Sequence, residues 1–350
     1  MSKYRLSAAG LIACMLVFPL SAAAKSSTPP ITADATGFLF HDVSLRAGVT
    51  ADIHVTVLSG ANDKDCLFIL HGGPFTAESW RPFAETLGGD HCVLGLDMPA
   101  RGQSAAPVGI VFGDLLLDDY VSIVLEVLDR LEHDLHIKPR TIVGHSLGGA
   151  VLQMVQQRLV DEGTSLKRRF NIRDAILVAS DFPQDVPWAF GDNGGAAAIA
   201  PFIVEDPVLG SVLRIEAAAW PAFFFTNKEG HLIASAPTPA EITAGGWVAP
   251  GEPEQALNQL LGAGPFTSRP HIEAGIFGQG TRLRVVAYEG DGFILLSESP
   301  GLYSYLTGDD SQGCFVGVLG ADTVHATHIS DPALLVAALA ASEGCRYGRP

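Results

Sequence analysis

The run Ile142-Val143-Gly144-His145-Ser146-Leu147-Gly148-Gly149 places the tightest constraint on how this chain can fold. Residues 140–143 read as a short, β-branched, buried strand. Residues 150–160 carry apolar side chains at helical spacing and predict a helix. Between them sits Gly-x-Ser-x-Gly. A strand that passes directly into a helix forces a strained backbone on the turning residue, Ser146. The flanking glycines remove the Cβ atoms that would collide there. The Ser146 hydroxyl then stands at the carboxyl end of the sheet. It lies over a helix N-terminus whose free N–H groups favour a developing negative charge. Taken alone, the motif also describes a Gly/Ser turn without chemistry; its strand–turn–helix context and two further motifs weigh against that reading.

The rest of the chain supplies a frame for this turn. Residues 66–70 and 92–96 are continuous apolar runs and predict buried parallel strands. The first leads into His71-Gly72-Gly73-Pro74, the second into Asp97-Met98-Pro99-Ala100-Arg101-Gly102-Gln103-Ser104. Residues 38–46 and 51–58 alternate apolar and polar side chains, which predicts a half-exposed antiparallel pair. Further strands are predicted over 174–180, 283–288 and 314–319. Helices are predicted over 77–87, after a cap at Asp114, and over 332–341. In the Asp114-capped helix Leu117, Tyr120, Val121, Val124, Val127, Leu128 and Leu131 form the apolar face. Its Asp118, Asp119, Glu126, Asp129 and Arg130 read as a solvated face. Such alternation predicts an α/β chain with a doubly wound, mostly parallel sheet, with ligands at the carboxyl ends of the strands.

From residue 181 to about 280 the pattern changes. Gly, Pro and Ala dominate, aromatic residues such as Trp188, Phe202, Trp220 and Phe224 are scattered through, and strand periodicity is lost. The segment is too long for a loop and predicts an inserted, largely helical cap. The expected organisation is a leader over 25–37, a core over 38–180 and 281–350, and a cap over 181–280.

Residues 1–24 are expected to be a secretory signal peptide. Lys3 and Arg5 form a basic start, residues 8–20 an apolar stretch short for a bilayer span, and Ala22-Ala23-Ala24 a cleavage site. The mature chain is therefore expected in the periplasm or outside the cell, with no stable membrane insertion. Leu11-Ile12-Ala13-Cys14 resembles a lipoprotein box, but it sits early in the apolar run and ranks below simple cleavage. A formal net charge of −16 argues against nucleic acid and anionic membrane surfaces as partners. The expected partner is a small-molecule substrate. No cluster with metal-ligand spacing, phosphate loop or dinucleotide fingerprint is visible, so neither metal nor cofactor is expected. Cleavage leaves four cysteines, Cys66, Cys92, Cys314 and Cys345, an even number that suits disulfides in an exported protein.

Three motifs together resemble the α/β-hydrolase family over residues 38–341. His71-Gly72-Gly73-Pro74 resembles the family's oxyanion loop. Residues 97–104 resemble its Asp-x-Pro-Gly-x-Gly-x-Ser turn, with Ala100 in place of a glycine, and residues 144–148 resemble its nucleophile elbow. The resemblance implies an eight-stranded sheet and a triad in the chain order Ser, acid, His. Ser146 is then the nucleophile and His325, past the last strand, the base, with His328 as the rival. The acid should follow residues 283–288. Asp291 is chosen there, Glu289 is the runner-up, and Asp181 after the preceding strand is a third candidate. The family's usual Gly-x-x-Asp register is off by enough to bring Phe293 near the expected acid. The implied oxyanion donors are the N–H groups of Gly73 and Leu147, since Pro74 has none. Asp97 reads as a structural turn carboxylate, and His71 and His145 as residues that orient loops. Strand order in the family implies Cys66–Cys92 and Cys314–Cys345 bridges, and the alternative is four buried free thiols.

These features imply a secreted serine hydrolase that cleaves an ester of a hydrophobic molecule. His-Gly-Gly-Pro also resembles the oxyanion loop of proline iminopeptidases, although that family's Gly-Gly-Ser-Trp-Gly and Asp-Gln-Arg-Gly are not found here; lactone or amide cleavage stays open. A different class, a non-catalytic ligand-binding protein on the same fold, is compatible with the fold but not with a complete Ser, His and acid set.

Overall fold

The computed structural model describes residues 31–60, 65–73, 75–110, 115–180, 203–205, 213–215, 224–248, 271–278, 280–294, 296–308, 314–320 and 322–342. Strands β1 (Ile31–Ala33), β2 (Gly37–Arg46), β3 (Val49–Ser59), β4 (Leu67–Leu70), β5 (Val93–Leu96), β6 (Thr141–His145), β7 (Asp174–Val178), β10 (Arg282–Tyr288) and β11 (Phe315–Val318) form one sheet. Its order is β1-β2-β3-β5-β4-β6-β7-β10-β11. The six strands from β5 to β11 are mutually parallel, and β1, β2 and β3 add an antiparallel edge. The sheet is thus the doubly wound α/β arrangement, with one strand more than the eight expected. The extra strand, β1, lies in the segment taken as a leader. Asp34 makes it possible: its Oδ1 accepts from the N–H groups of Thr36 (2.7 Å) and Gly37 (2.8 Å), a tight turn that folds β1 back onto β2.

Alternation along the central strands feeds two cores. Phe68, Leu70, Ile142, Ala175 and Leu177 point to one face of the sheet, where they meet α2 (Leu117–His133), α3 (Leu147–Asp161) and α6 (Ser299–Thr307). Ile69, Val143, Ile176 and Val178 point to the other, against Trp80, α1 (Arg81–Leu87) and α8 (Pro332–Ser342). Two short helices complete the frame, α4 (Leu166–Phe170) and α7 (Thr327–Ser330).

Helix α2 buries Leu117, Tyr120, Val121, Val124, Val127, Leu128 and Leu131, as the spacing predicts. Two of its charges do not belong to a solvated face. Asp119 is buried because its Oδ2 accepts the Leu116 N–H at 2.7 Å and closes the helix start; the predicted cap, Asp114, lies outside the described residues. Arg130 is buried because its guanidinium lies 5.1 Å over the Phe40 ring and donates to the His41 carbonyl at 3.0 Å.

Between β7 and β10 the described residues include an antiparallel pair, β8 (Ile203–Glu205) and β9 (Leu213–Ile215), and one helix, α5 (Pro239–Ala244). Thr238 caps α5 through a reciprocal pair of hydrogen bonds with Glu241. Residues 181–202, 206–212, 216–223 and 249–270, including Asp181, lie outside the described residues.

Cys66 and Cys92 stand at the starts of the paired strands β4 and β5 and form a disulfide, with Cα atoms 4.5 Å apart. Cys314, before β11, is also disulfide-bonded, and Cys345 lies outside the described residues. Replacing Cys66 and Cys92 together by alanine should lower the urea-unfolding free energy by about 3.5 kcal/mol, the chain-entropy value for a loop of this length. An unchanged unfolding midpoint in the double variant contradicts that role for the bridge.

Candidate active site

Ser146 has φ 50° and ψ −120°, a region that L-residues rarely adopt. Its N–H donates to the Val178 carbonyl at 3.1 Å, and its carbonyl accepts from Gly149 N–H (2.9 Å), Ala150 N–H (3.2 Å) and the Ser180 hydroxyl (3.2 Å). The side chain does not cap α3, so its hydroxyl is left to other partners. The glycines around it have no alternative. A Cβ on Gly144 would come within 2.6 Å of the Gly148 carbonyl oxygen, and one on Gly149 within 2.2 Å of the Ser180 hydroxyl. A Cβ on Gly148 would meet the carbonyl oxygens of Leu70 (2.2 Å) and His71 (2.6 Å). The turn is thus pressed directly onto the end of β4 and the loop that follows.

That loop is oriented by His71. Its buried ring donates from Nδ1 to the Gly72 carbonyl (2.7 Å) and accepts at Nε2 from the Met98 N–H (3.0 Å). The Gly72 carbonyl and the Gly73 N–H belong to one trans peptide, so holding the carbonyl toward His71 aims the N–H the opposite way. Burial pushes the His71 pKa down to about 4, which keeps Nε2 unprotonated and able to accept. Among the described residues neither Gly73 nor Leu147 donates a backbone hydrogen bond. Asp97 joins the end of this loop to the sheet: its Oδ1 accepts from Ala77 N–H (2.8 Å) and its Oδ2 from the Thr56 hydroxyl on β3 (3.3 Å).

His325 and Asp291 come together from two other loops. His325 Nδ1–H donates to Asp291 Oδ2 at 2.9 Å. The other carboxylate oxygen accepts from the N–H groups of Phe293 (2.8 Å) and Ile294 (3.1 Å), so the carboxylate is clamped on both sides. The remaining candidates are placed differently. Glu289 turns toward Gly320, whose N–H it accepts at 2.9 Å. His328 is fully buried, stacked on Trp80 at 4.6 Å, and among the described residues neither of its ring nitrogens has a hydrogen-bond partner. His145 links the elbow to the base loop: its Nε2–H donates to the His325 carbonyl at 2.9 Å.

Two contributors carried no sequence signal. Thr323 accepts the Gly290 N–H (2.8 Å) and donates to the Gly320 carbonyl (2.6 Å), which ties the acid turn to the base loop. Residues 224–248 reach both ends of the site. Lys228 N–H donates to the Gly290 carbonyl (2.8 Å), while Thr76 donates to the carbonyls of Trp247 (3.0 Å) and Gly246 (2.6 Å). The shared filling is an apolar cluster that includes Phe75, Phe224, Ile242, Phe293, Val324 and Ala326.

Comparison with known proteins follows the same lines. The model of a family described as "Alpha/beta hydrolase family" matches residues 67–338. A curated relative, the (E)-2-((N-methylformamido)methylene)succinate hydrolase of Acinetobacter baylyi, is 34% identical over 119 residues, which cover 32% of this chain and 42% of that protein. The match thus spans about two fifths of that relative's length. A bromoperoxidase from Bacillus anthracis superposes with a TM-score of 0.57 at 16% identity, covering 83% of this chain and 95% of that one. An esterase from Thermogutta terrifontis superposes with a TM-score of 0.52 at 15% identity, covering 83% and 92%.

The buried imidazoles make stability depend on pH. Burial lowers the pKa of His71 to about 4 and holds those of His145 and His328 well below the ordinary 6.5. The unfolded chain therefore binds more protons between pH 6.5 and 4, and the native state loses stability as pH falls through that range. His71 alone accounts for about 3 kcal/mol by the time pH reaches 4. Urea midpoints measured from pH 7.5 to 4.5 should fall steadily, and less steeply for His71→Gln. A flat profile contradicts neutral burial of these rings.

Proposed function

The chain belongs to the alpha/beta hydrolase family, and from that premise we propose that it is an exported serine hydrolase cleaving a carboxylic ester of a hydrophobic small molecule. The observation that carries this reading is the His325 Nδ1–Asp291 Oδ2 hydrogen bond of 2.9 Å, on a loop held by the residue next to Ser146. In this reading Ser146 Oγ attacks the ester carbonyl carbon while His325 Nε2 takes its proton. Asp291 holds the imidazole in the required tautomer and stabilises the imidazolium. Charge on the carbonyl oxygen is met by the N–H groups of Gly73 and Leu147. Collapse breaks the C–O bond, and His325 returns the proton to the departing alcohol. Water, deprotonated by the same imidazole, then releases the acid from Ser146 and restores the hydroxyl. The apolar cluster over the site supports a hydrophobic acyl or alcohol group. Export rests on residues 1–24, which lie outside the described residues. Amide cleavage is the second reading, favoured by the relative named for an N-methylformamido compound.

Ser146→Ala should lower turnover of p-nitrophenyl esters by about 10⁴-fold or more while leaving the fold intact. Retention of more than a few per cent of activity overturns the nucleophile assignment. Assayed beside aminoacyl anilides, an ester series of rising acyl length separates the two readings: esters should turn over faster, and a preference for anilides selects the amide reading. His325→Ala should be as impaired as Ser146→Ala, and His328→Ala, at equal folded concentration, should keep measurable turnover. A dead His328 variant beside an active His325 variant reverses the choice of base.

A further inference from the structure

We propose that His145 is a positioning residue that sets the spacing of nucleophile, base and oxyanion loop through one neutral imidazole; this rests on the serine-hydrolase reading. His145 ends β6 and is bonded directly to Ser146. From that place its ring touches both other parts of the site. Its Nε2–H donates to the His325 carbonyl at 2.9 Å. Its Nδ1–Cε1 edge faces the loop of residues 71–73, where a Cβ on Gly72 would stand 2.7 Å from Nδ1 and 3.1 Å from Cε1. Only a glycine lets that loop lie so close, so the ring acts as a spacer as well as a donor.

The geometry explains why the base needs this second hold. Asp291 fixes His325 at Nδ1 alone, and a ring held at one atom can still swing about that hydrogen bond. Fixing the His325 backbone carbonyl adds a second point. It also refers the base to the nucleophile through one covalent link and one hydrogen bond, with no intervening element. The imidazole centroids of His145 and His325 are 4.8 Å apart, which leaves no layer between them.

The arrangement also requires a neutral His145. Its Nδ1 is buried and, among the described residues, has no hydrogen-bond partner that could accept a second proton. The rings of His328 (4.5 Å), Phe75 (5.7 Å), Trp80 (6.0 Å) and His325 surround it. A protonated His145 would be a buried cation beside the imidazolium that the base becomes during turnover. Burial and the neighbouring imidazoles His328 and His325 both oppose that state. A side chain here for packing alone would need the flat edge but not the donor.

Two substitutions separate donor from packing. His145→Phe keeps a flat ring against Gly72 and deletes the N–H, leaving the His325 carbonyl without its donor. His145→Gln keeps an amide N–H at nearly the same reach. Small displacements of reacting groups cost rate steeply, so kcat of His145→Phe should fall by about ten- to a hundredfold with KM within about twofold. The low-field proton NMR signal of the His325–Asp291 hydrogen bond should shift or vanish. His145→Gln should recover kcat to within about fivefold of wild type. A folded His145→Phe protein with wild-type kcat and an unmoved low-field signal overturns the proposal, as does a glutamine variant no better than the phenylalanine one. Should neither variant fold, ¹⁵N shifts of the wild-type ring decide: a persistent Nε2–H tautomer from pH 5 to 9 supports the proposal, and an Nδ1–H tautomer overturns it. A wild-type chain without hydrolase activity fails the serine-hydrolase reading instead, and the tautomer and low-field signal still judge the contact.

Discussion

A serine held at φ 50° and ψ −120° is the constraint from which the rest of the site follows. Such a backbone costs of order 1–3 kcal/mol and persists only where its surroundings over-determine it. Here they do so by close approach. Gly144, Gly148 and Gly149 each occupy a place where a Cβ would fall under 3 Å from backbone or side-chain atoms. The Ser146 peptide is hydrogen-bonded at both ends, to Val178 and Ser180 on the neighbouring strand and the loop after it. The strain is therefore offset by the two central parallel strands. The result is a serine at the sheet edge, directly before Leu147, the first residue of α3.

The surrounding loops are stabilised by different physics at different depths. Nearest the turn, buried neutral imidazoles do the orienting: His71 aims the Gly72–Gly73 peptide and His145 holds the base loop. One layer out, threonine hydroxyls link loop to loop, Thr323 between acid turn and base loop and Thr76 between oxyanion loop and residues 246–247. Outermost, Phe75, Phe293, Val324 and Ala326 bring all three loops into one apolar cluster with residues 224–248. Water exclusion by that cluster strengthens every polar contact inside it. The same burial leaves His328, between Trp80 and His145, with no hydrogen-bond partner on either nitrogen among the described residues.

Much of this was legible in the sequence wherever a local rule and the global fold agree. Continuous apolar runs with a following glycine motif marked β4, β5 and β6, because a central parallel strand is buried on both faces. The strand order that the family resemblance implies makes β4 and β5 neighbours, and their starts carry the Cys66–Cys92 bridge. Other features depend on partners distant in sequence. Asp119 and Arg130 sit at polar positions of an amphipathic helix, and only Leu116, Phe40 and His41 make them buried. Strand β1 was hidden because Ile31-Thr32-Ala33 is too short for a period and is defined by the Asp34 turn. Asp291, chosen from the sequence over Glu289, lies two residues from it, and in three dimensions the two face His325 and Gly320 respectively.

We propose that the strained turn and the His325–Asp291 pair activate Ser146 as the nucleophile. Intact-mass and peptide mapping after reaction with a fluorophosphonate tests it most directly. The account predicts one phosphonyl adduct per chain, on the peptide containing Ser146, formed far more slowly in His325→Ala. A folded protein that takes no label, or one labelled at another residue, contradicts it.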